Sequence, residues 1–153
     1  MVMAANAAMV LLYWDIGRMI LDRQERAGWG TKVIDRLSAD LRAAYPDMKG
    51  LSPRNLKYMR AFAAAWPGRA IVQEVLARIP WYHHIALIEK CRSPEERLWY
   101  ARQSAGQGWS HNILSLQIES RAHVRRGKAL IGPARALLKI VASNPKAIEA
   151  LHG

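Results

Sequence analysis

The chain has one cysteine, Cys91, in 153 residues, so no internal disulfide can form and a reducing cytoplasm suits it. Acidic residues are scarce as well: 12 Asp and Glu stand against 23 Lys and Arg. A metal-dependent nuclease needs two or three carboxylates and a lysine converging on a cation and a water, and the chain contains no Glu-x-Lys. Asp47-Met48-Lys49 is the nearest match, and it is expected in a turn between helices. There is no glycine-rich phosphate loop and no Gly-x-Ser-x-Gly elbow. No uncharged run reaches the roughly 18 residues of a membrane span. The apolar stretch Met1 to Trp14 is broken by Asn6, lacks the basic residues that precede a signal peptide's apolar region, and runs into Asp15, Arg18, Asp22 and Arg23. No segment keeps a two-residue alternation, so no strand is predicted. These absences leave a soluble, cytoplasmic, all-α protein with no catalytic constellation, no cofactor and no membrane partner.

What is abundant is positive charge. The formal net charge is +11 and the sequence pI about 10.4, which makes a polyanion the expected partner. An apolar fraction of 51% is ample for a core. The five histidines do not read as a metal site. His83 and His84 are adjacent, about 100° apart on a helix, whereas helical ligand pairs stand three or four residues apart. His111, His123 and His152 stand alone. The Trp81–His84 cluster is expected as core and core-edge packing, and Cys91 as a small half-buried residue near a helix end. Of the tryptophans, Trp14, Trp66, Trp81 and Trp99 fall on or beside apolar helical faces. Trp29 and Trp109 lie in turns, where a plug or an exposed contact are both open.

Helical periodicity carries most of the chain. Leu12, Tyr13, Ile16, Met19 and Ile20 mark an amphipathic helix from about Ala7 to Arg26, stopped by Gly28-Trp29-Gly30. Thr31 caps a second helix running to about Tyr45, with Ile34, Leu37, Leu41 and Ala44 inward. Pro46 ends it, and Asp47 to Gly50 is predicted as a tight turn. Ser52 caps the next helix, with Pro53 at its first position, where the missing N–H costs nothing. On this helix Leu56, Met59, Phe62, Ala63 and Trp66 make one face; Arg54, Lys57, Tyr58 and Ala61 make the other, with Arg60 at its edge. No acidic residue occurs from Arg54 to Arg69. Further helices are predicted over about Arg69 to Ala77, after Pro80, after the capping box Ser93-Pro94-Glu95-Glu96, and after Ser110. Beyond Glu119 the character changes: Arg121, Arg125, Arg126, Lys128, Arg135, Lys139 and Lys146 precede the next acid, Glu149. The reading is a helical domain over 1–126 and a basic tail over 127–153, a short helix or partly disordered.

Several motifs in order resemble the N-terminal domain of the YhcG-type bacterial family. They are Tyr13-Trp14-Asp15-Ile16-Gly17-Arg18, the run from Gly28-Trp29-Gly30 to Leu41, Leu51-Ser52-Pro53-Arg54-Asn55-Leu56-Lys57-Tyr58-Met59-Arg60, Ile79-Pro80-Trp81-Tyr82-His83-His84, and Arg97 to Ile118. The resemblance covers roughly Tyr13 to Arg126. It implies a helix–turn–helix-like, DNA-binding domain of the kind that precedes a PD-(D/E)xK nuclease domain, with Arg54, Asn55, Lys57, Tyr58 and Arg60 on the recognition element. After Lys128 no catalytic domain is found, so nuclease activity is not carried over.

The expected function is therefore DNA binding, with Ser52–Trp66 approaching a groove and Thr31–Tyr45 supporting it. Lys49, Arg69, Arg121, Arg125, Arg126 and Lys128 would supply phosphate contacts, which give affinity but little sequence choice. A separate nuclease domain or subunit and a homodimer are compatible further partners. The alternative is a protein-interaction module, accessory to a separate nuclease or defence complex, with Met1 to Leu12 and the surroundings of Trp109 as its surface.

Overall fold

The computed structural model describes residues 2–27, 31–122 and 124. Gly28-Trp29-Gly30 and the tail over 127–153 lie outside the described residues, as does the side chain of Thr31. Within them the chain is all-α: α1 (Val2–Ala27), α2 (Thr31–Ala44), α3 (Pro53–Ala65), α4 (Arg69–Glu74), α5 (Trp81–Lys90), α6 (Pro94–Gln107) and α7 (His111–Glu119), with a short 3-10 turn at Leu76–Arg78. α3 is central. It packs along α1 and also meets α2 and α5, while α6 and α7 pack on α5.

The seam between α1 and α3 depends on one missing side chain. Gly17 is buried, and a Cβ built on it would lie 2.0 Å from the Met59 carbonyl oxygen and 3.0 Å from the Ala63 Cβ. The two backbones therefore almost touch, and the inward stripe of α1 is centred on Gly17. Val10, Tyr13, Trp14 and Ile20 are buried around it. The periodicity of bulky residues had suggested a stripe rotated from this one: Leu12 is 41% and Met19 53% exposed. A pattern of large side chains cannot register a contact made by the smallest residue. Trp14 completes the seam by donating its indole N–H to the Trp66 carbonyl at 2.7 Å.

Local signals set the helix ends as expected. The Ser52 hydroxyl accepts from the Asn55 N–H at 3.2 Å, with Pro53 opening α3. Ser93 accepts from the Glu96 N–H at 3.1 Å, and the Glu96 carboxylate reaches back to the Arg92 N–H at 3.1 Å. This return bond falls one residue before the usual partner of a capping box. Ser110 caps α7 through the Ile113 N–H, and Gly108, at φ +63°, ends α6. On α3 the predicted inward face is buried in full: Leu56, Met59, Phe62, Ala63 and Trp66.

Two local expectations change. The helix predicted over Arg69 to Ala77 breaks at Val75 into α4 and the 3-10 turn. In the turn after the break, tertiary hydrogen bonds reach the carbonyls: Asn6 donates to Ala77 and Ile79, and the His84 ring to Leu76 at 2.8 Å. On α2, Ile34 is buried, but Ala44 is exposed and the buried neighbour is Ser38, whose hydroxyl donates to the Leu51 carbonyl at 2.6 Å. A serine within a polar stripe gives no apolar signal, yet it ties α2 to the segment leading into α3.

Candidate nucleic-acid interface

At about 100° per residue, Arg54, Lys57, Ala61 and Ala64 form one line along α3. Arg54, Lys57 and Ala64 are exposed, and Ala61 is half-buried. The opposite face of the helix is locked into the core, so this line has a fixed direction relative to the fold. The Arg54 guanidinium lies 5.7 Å from the centre of the Tyr58 ring. Its pKa is raised above the ordinary arginine value, first by its interaction with the Tyr58 side chain and then by the Glu89 carboxylate. Tyr58 in turn donates its hydroxyl proton to the Glu89 carboxylate of α5. Arg54, over the Tyr58 ring, and Lys57 are exposed cations one helical turn apart.

The connection between α2 and α3 spans 45–52, longer than the three or four residues of a compact helix–turn–helix connection. The predicted tight turn is therefore a loop. It places Lys49, which is exposed, beside the start of α3. Gly50 adopts φ +88°, and a Cβ there would meet the Tyr13 hydroxyl at 2.1 Å. Only glycine fits, on both backbone and space. Asn55 stitches this corner: its amide donates to the Gly50 carbonyl at 2.7 Å and accepts the Trp81 indole N–H at 2.7 Å. Trp81 packs edge-on against Tyr13 and Phe62. The Tyr13 hydroxyl pKa is raised by burial, partly offset by a hydrogen bond with Asn55, with Tyr82 adding to the rise.

Between these elements opens a cleft of about 840 Å³. Asn6, Met9 and Tyr13 of α1 line one side, the loop into α3 with Arg54 and Asn55 another, and Tyr58, Trp81, Tyr82 and Ile85 much of the rest. Lys49 and Arg54 are its cations, and among the described residues no carboxylate lines it.

The predicted contact residues do not all converge. Lys49 and Arg54 line the cleft at the start of α3, and Lys57 is exposed one turn further along the helix. Asn55 is committed to the corner just described. Tyr58 is half-buried between Arg54 and Glu89. Arg60 donates to Gln24 of α1, away from the cleft. Arg69 lies past the other end of α3 and pairs with Asp15 at 3.5 Å. Arg121, at φ 58°, follows α7, a helix packed on α5 and α6. Arg125, Arg126 and Lys128 lie outside the described residues.

Within the Trp81–His84 cluster, Trp81, His83 and His84 are buried and Tyr82 is the edge residue. It is 72% exposed, and the helical line Tyr82, Ile85, Glu89, which ends in a charge, was the available sign. Trp109 is half-buried against the core, and its carbonyl accepts from the His83 ring.

The titratable groups in the core are quiet. His84 is fully buried beside Phe62, and burial pushes its pKa down to about 4, so the ring is neutral. Burial, with Glu96 adding, pushes the Cys91 thiol up to about 12, which keeps it a thiol rather than a nucleophile. Among the described residues no group of three or more His, Cys, Asp and Glu is placed to hold a metal ion, and no helix is long and apolar enough to cross a membrane.

A sequence model described as the DUF1016 N-terminal domain matches residues 1–125. That span takes in all the motifs quoted for the YhcG-type resemblance, from Tyr13 to Ile118. No curated protein and no solved structure matches the chain.

Proposed function

We propose that this chain, which belongs to the DUF1016 N-terminal domain family and corresponds to the N-terminal domain of the YhcG-type family, is a DNA-binding module that meets duplex DNA with the exposed edge of α3. The observation that carries this reading is the line Arg54, Lys57, Ala61, Ala64, with Lys49 at its head. Cations are grouped at one end and small residues follow, so a phosphate backbone can approach closely. The stretch from Met48 to Gln73 contains no carboxylate; Glu89 of α5, bonded to Tyr58, is the acidic neighbour of Arg54. A net charge of +11 supplies the long-range attraction. The reading needs only this helix edge and not a compact helix–turn–helix. Asn55 supports it from behind, by holding the Gly50 loop and Trp81, rather than by reading bases.

Each phosphate neutralised releases counterions and adds about 0.9 to the slope of log affinity against log salt. The double variant Arg54→Ala/Lys57→Ala should therefore lose about two units of that slope, and should bind a short duplex more weakly at low salt. Both side chains are exposed, so the variant should fold as the parent does. An unchanged affinity and slope in a folded variant would refute the assignment.

A second reading, a protein-interaction module serving a separate nuclease or defence complex, draws on exposed apolar residues elsewhere. Ile113 and Leu116 on α7 are 44% and 64% exposed, and Leu12 on α1 is 41% exposed. If that reading holds, replacing Ile113 and Leu116 by serine alters complex formation and leaves duplex affinity unchanged.

A further inference from the structure

We propose that the cleft beside α3 receives one unpaired nucleotide of the bound DNA, its base against Tyr82 and its phosphate between Lys49 and Arg54. This rests on the duplex reading of α3 and adds the class of DNA preferred. Three observations point to such an occupant. The cleft's volume of about 840 Å³ falls within the range of small-ligand pockets, roughly 300–1,000 Å³, and can hold a mononucleotide. Its lining is largely aromatic and apolar, with Tyr13, Tyr58, Trp81 and Tyr82 joined by Met9 and Met48, and the charges are two cations at the rim. That pairing of a flat apolar surface with fixed positive charge matches a base attached to a phosphate. It fits poorly to an acidic side chain, which offers no base, or to an apolar peptide, which offers no anion.

The third observation is Tyr82 itself. It is 72% exposed while its helical neighbours Trp81 and His83 are buried, so its ring stands at the mouth with a face available for stacking. Beneath it Trp81 is clamped by Asn55, Tyr13 and Phe62, which makes a rigid floor. The cleft also lies at the beginnings of α3 and α5, the ends of helices that favour anions. At α5 the capping residue is Pro80, which provides no side-chain acceptor for the first-turn N–H groups. A base already out of the stack enters such a cleft without the unpairing and unstacking that a paired base must first undergo.

The test compares three short duplexes of one sequence by fluorescence anisotropy: fully paired, carrying one unpaired nucleotide, and carrying an abasic residue at that position. The full chain is used, as wild type, Tyr82→Ala and Tyr82→Phe. A stacked base contributes about tenfold in affinity, so wild type should favour the unpaired-nucleotide duplex about tenfold over the other two. Tyr82→Ala should bring that ratio below twofold with paired-duplex affinity unchanged, and Tyr82→Phe should keep it. Equal affinity for the paired and unpaired duplexes, or a preference indifferent to Tyr82→Ala, overturns the proposal. If wild type binds no duplex, the α3 reading fails separately. A single-stranded oligonucleotide that then binds with dependence on Tyr82 upholds the cleft, and one that does not overturns it.

Discussion

Two alanine substitutions at glycine should move stability in opposite directions. Inside a helix, replacing Gly by Ala is favourable by about 1 kcal/mol, because alanine has less backbone freedom to lose. Gly106 lies in the last turn of α6 with nothing within 4 Å of an added Cβ, so Gly106→Ala should stabilise by roughly 0.5–1 kcal/mol. At Gly17 the same intrinsic gain meets a wall. The new methyl would sit 2.0 Å from the Met59 carbonyl oxygen and 2.6 Å from its carbon. Both are backbone atoms of a helix whose other side is packed, so no side chain can swing away. α1 and α3 must separate by about 1 Å, and a gap of that size forfeits a quarter to a half of each dispersion contact along the seam. Overpacking of this kind costs about 3 kcal/mol, at the upper end of its usual range. The net expectation for Gly17→Ala is a loss of about 2 kcal/mol. Urea unfolding with a shared m-value measures both variants, and their midpoints should fall on opposite sides of wild type. A Gly17→Ala protein as stable as wild type would refute the close crossing of α1 and α3, and with it the fixed presentation of Arg54 and Lys57.

His84 should make stability depend on pH. Its folded pKa is about 4 against about 6.5 in an unfolded chain. Below 6.5 the unfolded state takes up a proton that the folded state refuses, so the stabilisation present above 6.5 is lost as pH falls towards 4, by up to about 3 kcal/mol. His84→Phe should flatten this part of the stability–pH profile relative to wild type, and identical slopes would refute the assignment. Cys91 should resist alkylation: with its pKa raised to about 12, the native thiol should react about a thousandfold more slowly than the urea-unfolded one, and comparable rates would contradict its burial. Asn55→Ala removes the acceptor of the Trp81 indole N–H and the donor to Gly50, and should cost about 1–3 kcal/mol. Arg54→Ala, being exposed, should stay within about 0.5 kcal/mol of wild type. Equal effects of the two in thermal unfolding would show that Asn55 has no corner to hold.

The helices were legible in the sequence because they are set by local physics. Ser52-Pro53, Ser93-Pro94 and Ser110 act through hydrogen bonds and backbone angles a few residues away, and apolar spacing fixed the inward face of α3. The errors fell where partners are distant in sequence. The predicted helix breaks at Val75, and the carbonyls of the turn that follows are met by Asn6 of α1 and His84 of α5. Within the loop between α2 and α3, the bend at Gly50 leaves room for Tyr13 of α1. None of these partners is visible from the segment it meets.

The candidate site divides along the same line. A serine cap, a proline and an acid-free run placed Arg54 and Lys57 on one exposed edge, and these are consequences of helical periodicity within a single segment. Clustered charge alone could not separate them from Arg60, Arg69 and Arg121, since net charge has no direction. The tertiary structure made that separation by assigning Gln24 to Arg60 and Asp15 to Arg69, and by setting Arg121 beyond α7. It also drew Asn55 from the predicted interface into the corner that shapes it. The sequence by itself determined the order of the helices, their serine and proline starts and the inward face of α3, because those properties are decided within a few turns of chain; the inward stripe of α1 and the break at Val75 were not. Only the tertiary structure decided which exposed groups share a surface, because the cleft between Tyr13, Lys49, Arg54 and Tyr82 is built from three separate segments that meet when α1 closes over α3 at Gly17.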